Sequence, residues 1–521
     1  MSLKPKRECD QGLNLLKLLS ALVACLIGAA VAQGDDLSKA SPEAVSARID
    51  RLFEQAWLSA GVAPAPLADD ATFLRRVTLD LTGLIPTAGE IRAFQADSRP
   101  DKRQIVIADL LTRPRHSNHL ARLWREILLP RNTDATAVAA FEAWLQNRFQ
   151  QNLVYDRLVQ DILSARGTVA QSEPAIFFAA NSTKPEDLAA SSSRAFLGLQ
   201  VRCAQCHDHP FASWKQSDFW GFAAFYARVQ GPAGAGDQTP VDDRADGEVR
   251  HPKTLKAMIP QFLDGRQFAE STAEPRRAVL ARWITAADNP FFARAAVNRA
   301  WWLMFGRGLV QPVDDLGANN PASHPEVLKL LADDFVAGGF DLRRTLQIIA
   351  GSKVYQLASQ EGGAREGAAA YTAMAVRSLS AAQVYDALLQ ASGQRVSSPT
   401  PEMIRERSAF LAQFDAPSRD ALEFQGGIPQ VLSLLNGSMV ARLTDPTTSD
   451  LIAALADSPF LNDRQRIETV FLATVSRSPR NNEWEPMLKI FESKHTAESR
   501  AQALGDILWA LLNSSEFVLN R

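Results

Sequence analysis

Cysteine is scarce in this chain: 521 residues contain four, at positions 9, 25, 203 and 206. That number excludes a fold scaffolded by disulfides. An excess of either charge is also missing, with 56 Lys and Arg against 58 Asp and Glu and a formal net charge of −2. A general nucleic-acid binder, which carries a basic surplus, is thereby disfavoured. Sustained Val/Ile/Thr alternation is nearly absent, so little sheet is expected. No Gly-x-Ser-x-Gly, Walker or dinucleotide motif occurs, which weakens the standard hydrolase and nucleotide readings. No repeat of fixed period is present. What remains is 46% hydrophobic residues, enough for a large core in about two to four domains.

The first 32 residues read as an export signal. Lys4, Lys6, Arg7 and Lys17 precede an apolar run from Leu18 to Ala30, and Ala30-Val31-Ala32 is a small-x-small cleavage site. The run is shorter than the roughly 20 residues of a membrane-spanning helix, so no transmembrane span is expected in the mature chain. Leu22-Val23-Ala24-Cys25 also resembles a lipobox, although more apolar residues follow Cys25 where a polar tether would be expected. Cleavage after Ala32 removes four basic and two acidic residues, which takes the net charge from −2 to −4. It also removes Cys9 and Cys25, so Cys203 and Cys206 are the cysteines of the exported form, placed in the periplasm or at the cell surface.

The mature chain reads as mainly α, with two helical domains joined by an irregular linker. Helical spacing begins near Ser41-Pro42-Glu43 and continues with Ile49, Leu52, Phe53 and Ala56. Short helices follow around 87–97, 100–113, 116–129, 135–152 and 155–165. One longer helix is expected from Glu186 to Cys206, and another from Lys215 to Val229. Residues 231–275 are rich in Gly, Pro and Asp at their start and lack periodicity, which marks the linker between domains at 45–230 and 276–520. Helices resume at Arg276–Ala287, Phe291–Gly306, His324–Gly338, Leu342–Ser352, Ser380–Gly393, Gly427–Asn436, Asp463–Ser476 and Ala501–Asn513.

Chemistry concentrates in Cys203-Ala204-Gln205-Cys206-His207. This CxxCH spacing is the signature of covalent c-type haem attachment. Two thiols separated by two residues reach the two vinyl groups of one haem, and the adjacent His supplies an axial nitrogen to the iron. Attachment occurs outside the cytoplasm, in agreement with the export signal. Asp208 and His209 extend the run to His-Asp-His. His209 is too near His207 to be the opposite axial ligand of the same iron. A sixth ligand would come from Met258, Met304, His116, His119 or His251, or the iron would be five-coordinate. Two other readings stand beside haem. Cys203 and Cys206 can form a disulfide or a redox pair, or they can bind zinc or another transition metal with His207, His209 and a carboxylate such as Asp208.

Other polar residues have plain structural roles open to them. Phe305-Gly306-Arg307-Gly308-Leu309 reads as a helix C-cap rather than an anion loop. Asn298, Arg299, Arg307, Asp314, Asp315 and Asn319 lie close in sequence and would form a second half of the site if they met the CxxCH motif. Ser323 to Glu326 matches a capping box. His116 and His119 are one turn apart but sit beside Trp124 and Arg125, which suggests packing. His495 lies in a charged stretch. Trp214, Trp220, Trp301 and Trp302 are expected in helix cores rather than stacked on sugars.

At this point the chain resembles a known pair of domains. Arg75-Arg76-Val77-Thr78-Leu79-Asp80-Leu81-Thr82-Gly83-Leu84-Ile85-Pro86-Thr87, Ala195-Phe196-Leu197-Gly198-Leu199 and Cys203 to Pro210 resemble the planctomycete cytochrome-c-like domain of unknown function. Asp288-Asn289-Pro290-Phe291-Phe292, Val297-Asn298-Arg299, Phe305 to Val310, Ser323 to Glu326, Ser378 to Ala381, Leu434-Leu435-Asn436-Gly437 and Trp509 to Phe517 resemble its usual C-terminal partner domain. The resemblance implies a secreted, largely helical protein whose biochemical activity is not established. It maps the family's CxxCHDH onto Cys203, Cys206, His207, Asp208 and His209. It further implies a link to c-type cytochromes or other redox partners and to extracellular polysaccharide breakdown. A second haem is not expected, because no separate N-terminal cytochrome domain is present.

Overall fold

Helices make up 60% of the structure and strands 4%, as the missing alternation predicts. The computed structural model describes residues 40–131, 133–210, 212–232, 239–268, 274–360, 366–394, 400–414, 435, 437–492, 494 and 496–521. The export signal, Cys9, Cys25, His495 and, apart from Leu435, the helix expected at Gly427–Asn436 lie outside the described residues. Among the described residues no helix is long and apolar enough to cross a membrane.

Local signals place the helix ends. Asp69 caps the helix Asp70–Thr82 by accepting from the Thr72 amide at 2.9 Å, and Gly83 closes it at φ 72°. Thr87 and Glu90 form a capping box on Ala88–Ala96. Asn462 and Gln465 do the same for Asp463–Val475. The capping box expected at Ser323 does not form. His324 occupies the N-cap of Pro325–Ala337 without a side-chain cap bond, and the Ser323 hydroxyl donates to the Leu309 carbonyl instead. A tertiary contact with the preceding loop has taken the hydroxyl that a local cap would use.

Sheet is confined to two antiparallel pairs among the described residues, Val229–Gln230 with Asp242–Asp243 and Arg377–Ser378 with Leu519–Asn520. The first pair begins and ends the Gly-rich segment near residue 231. Asp243 then receives two hydrogen bonds from the buried Arg277 guanidinium, at 2.8 and 3.0 Å.

Residues 42–521 form one compact unit, and its helices pack across the segment 231–275. Leu79 and Ile85 lie in the same apolar cluster as Leu388, Phe471, Leu504 and Leu508. Phe53, from the helix Pro42–Ser59, stacks on Trp301 with ring centroids 5.7 Å apart, and its centroid is 4.3 Å from that of His324. Trp301 and His324 are thus core residues, 0% and 5% exposed.

The segment Arg75 to Thr82 carries two Arg and one Asp, and every side chain in it is buried. Arg75 donates to the carbonyls of Thr474 and Phe517 at 2.9 and 2.8 Å. Arg76 donates to the carbonyls of Tyr355, Leu357 and Arg521. Burial lowers both guanidinium pKa values to about 10, so both stay charged and their carbonyl partners are necessary.

Candidate functional site

The region expected to be one helix from Glu186 to Cys206 is three pieces. An α-helix runs Pro185–Ser192, a π-helical turn covers Ser193–Leu197, and a 3-10 turn covers Val201–Gln205. The break has a physical cause at Gly198, which sits at φ 63°. A Cβ there would collide with the Leu316 side chain, and the Gly198 carbonyl accepts from the Leu316 amide at 2.8 Å. The left-handed residue ends the helix and turns the chain toward the cysteines.

On the 3-10 turn, residues three apart share a face. Val201 and Ala204 form the buried face, at 1% and 0% exposure. Cys203 and Cys206 form the other, and both are exposed, unbridged thiols. The CxxC spacing therefore does its work through this local geometry: one face anchors the turn and the other presents two thiols together. The turn is also tied from outside. The Gln205 carbonyl accepts from Gln216 Nε2 at 2.9 Å and from Trp220 Nε1 at 3.0 Å. Both donors belong to the helix Gln216–Ala223.

The two histidines of the motif are held in opposite tautomers. His207 Nδ1 lies 2.7 Å from the Asp208 carbonyl, which can only accept, so this nitrogen carries the proton. The lone pair is left on Nε2 of an exposed ring. His209 is reversed. Its Nδ1 accepts from the Ala212 amide at 2.9 Å, so its proton is on Nε2. Its own amide donates to the Trp214 carbonyl at 2.8 Å. Asp208 Oδ1 accepts from the Gln216 amide at 2.8 Å. Asp208 and His209 thus brace the loop between the cysteine turn and the next helix, while the His207 ring stays exposed.

This donor set suits a c-type haem: two exposed thiols on one face, followed by an imidazole whose Nε2 is free of its proton. Among the described residues no three His, Cys, Asp or Glu side chains converge as a metal-ligand set.

Of the sixth-ligand candidates, Met304 is 0% exposed within the core. His116 and His119 are buried on the helix Pro114–Leu128 against the end of Asp70–Thr82, where His116 Nδ1 donates to the Leu81 carbonyl at 2.7 Å. Burial lowers their pKa values to about 4 and about 3. His251 Nδ1 accepts from the Lys253 amide at 3.2 Å within its own turn. Met258 packs with Trp220 against Ala224, Ala227 and Val249, and Trp220 is itself bonded to the cysteine turn.

The second polar group is only partly brought to the motif. Asp314 comes as near as Gln200, three residues before Cys203, accepting from its Nε2 at 2.8 Å beside Arg194. Arg299 donates to the Arg194 and Ala195 carbonyls within the π turn. The others serve elsewhere. Asn298 is fully buried and clamps Val310 through both its amide atoms. Arg307 lies over the Tyr371 ring at 5.5 Å, and Asp315 offers its carbonyl to Asn320. Gly306 is a left-handed C-cap at φ 76°, as its sequence context predicts. The sequence reading missed Gln216 and Trp220 as supports of the cysteine turn. Their fixed distance after the motif was visible, but their hydrogen bonds depend on a tertiary turn.

Comparison with protein families gives two matches. The PSCyt2 family, described as a protein of unknown function (DUF1549), matches residues 48–231. The PSD1 family, described as a protein of unknown function (DUF1553), matches residues 276–407. No curated protein and no solved structure matches the chain.

Proposed function

The chain belongs to the planctomycete cytochrome-like family pair, PSCyt2 followed by PSD1, and within it we propose an exported redox protein with one covalent c-type haem at Cys203 and Cys206. His207 would hold its iron. The work is electron transfer or haem-linked oxidation in the periplasm or at the cell surface. The observation that carries this reading is the His207 tautomer, with Nδ1 donating to the Asp208 carbonyl and Nε2 left as the ligand atom. A haem held here would supply a one-electron redox couple.

The chain's own residues orient that group. Val201 and Ala204 anchor the turn, so the thiols of Cys203 and Cys206 stay on its outer face. Gln216 and Trp220 hold the Gln205 carbonyl and fix the turn against the next helix. Asp208 and His209 spend Oδ1 and Nδ1 on backbone amides, which keeps the loop carrying His207 in one conformation. Met258 is the sixth-ligand candidate best supported, because it packs against the same small apolar cluster as Trp220.

Mass spectrometry of protein exported by a host with a cytochrome-maturation system tests this. The expected mass is the chain cleaved after Ala32 plus one haem. Free thiols, or a loss of two hydrogens from a Cys203–Cys206 disulfide, would overturn it.

A further inference from the structure

Next to the cysteine turn, the hairpin at residues 250–259 has a composition unlike the chain as a whole. The protein has a net charge of −2, yet Arg250, Lys253 and Lys256 fall within this stretch with no acidic residue among them. All three are exposed. The hairpin closes through the Arg250–Ala257 bridge, with the His251 amide donating to the Lys256 carbonyl at 2.9 Å. Two aliphatic side chains stand out from it, Leu255 at 67% exposure and Ile259 at 71%.

Leu255 lies at the hairpin tip with φ 55°. A branched apolar residue is disfavoured there twice, by its backbone conformation and by its exposure. Glycine or asparagine would fit the turn better. An outlier of this kind points to a role outside folding. The hairpin connects directly to the site. Met258 and Trp220 pack against the same small cluster of Ala224, Ala227 and Val249, the Gln261 amide donates to the Gly221 carbonyl at 3.0 Å, and Trp220 donates to the carbonyl of Gln205, which lies between the two cysteines.

We propose that the hairpin 250–259 is the docking surface for an acidic electron-carrier protein that meets the haem site at Cys203–His207. This inference rests on the haem reading above. The three cations would steer an acidic partner, and Leu255 and Ile259 would form the small apolar centre of a transient interface. Within the encounter one electron passes, one centre being oxidised as the other is reduced, with no bond made or broken. A protein suits the surface better than an anionic glycan, because exposed aliphatic side chains match an apolar protein patch and residues 250–259 include no Trp, Tyr or Phe for a sugar to stack on.

The test uses haem-loaded protein, verified by mass, and an immobilised acidic c-type cytochrome as the probe. Affinity is measured by surface plasmon resonance at low and at physiological salt, with heparin as the glycan probe. Binding to the cytochrome should weaken as salt rises. The double variant K253E/K256E should bind about tenfold or more weakly at low salt. L255G should bind several-fold more weakly at both salts while its melting temperature is unchanged or raised. Affinity unaltered in both variants would overturn the proposal. So would stronger binding to heparin that depends on the lysines and ignores L255G, which would assign the surface to an anionic glycan. Protein that carries no haem fails the preceding reading, whereas haem-loaded protein that does not bind the cytochrome fails this one alone.

Discussion

Arg377 donates to both carboxylate oxygens of Asp80, at 2.8 and 2.7 Å, with both side chains buried. The pair joins the segment matched by PSCyt2 to the one matched by PSD1. Tyr355 and Asn520 add hydrogen bonds to the same carboxylate at 2.7 and 2.8 Å. One acidic residue thus gathers donors from three distant parts of the chain. Replacing Asp80 with Ala leaves the Arg377 charge buried without its partner, which costs about 3–5 kcal/mol. Urea denaturation of D80A should show that loss, and a change below about 1 kcal/mol would refute the central role given to the pair.

Acid should destabilise the fold through His116 and His119. Burial lowers their pKa values from 6.5 to about 4 and about 3, so the unfolded chain binds more protons than the folded one below pH 6.5. Stability then falls with pH in that range, at about 1.4 kcal/mol per pH unit for each histidine. Asp50 acts in the opposite sense. Burial raises its pKa from 3.8 to about 6, so the folded state binds the extra proton, which offsets about one histidine between pH 6 and 4. The net slope for these three groups is about 1.4 kcal/mol per unit. The variant H116Q/H119Q should lose or reverse that slope in urea titrations across pH 4–6, and an unchanged slope would count against the assignment.

Gly198 couples the fold to the cysteine turn. G198A meets both a left-handed backbone and the Leu316 side chain, which should cost about 1–3 kcal/mol. Haem incorporation should fall with it, because the turn presenting Cys203 and Cys206 follows directly. Shortening Leu316 to Ala in the same chain should recover part of the loss. Full stability and full loading in G198A would show that the turn is set elsewhere.

His207 and His209 should respond differently to substitution. H209A removes the acceptor for the Ala212 amide, at about 1 kcal/mol of stability, and should leave the absorption spectrum of haem-loaded protein unchanged. H207A removes the proposed axial nitrogen and should alter that spectrum. Equal spectral changes in the two variants would contradict the tautomer argument.

The helical architecture was legible because helix formation is mostly local. Apolar spacing marked the buried face of Pro42–Ser59, and the short helix expected around 87–97 forms as Ala88–Ala96. The CxxC spacing was legible for the same reason, since two residues between the thiols put them on one face of any tight helical turn. Tertiary structure decided what local pattern could not carry. Arg75, Arg76 and Asp80 are buried because their partners arrive from residues 355–377 and 474–521, far along the chain. The expected helix before Cys203 breaks because Leu316 packs on Gly198. The CxxCH spacing singled out His207 over His209, but the tautomers of the two rings follow from tertiary contacts, one facing the Asp208 carbonyl and the other the Ala212 amide. Residue order alone determined which side chains could bind a cofactor, whereas the folded backbone decided which nitrogen is left to do so.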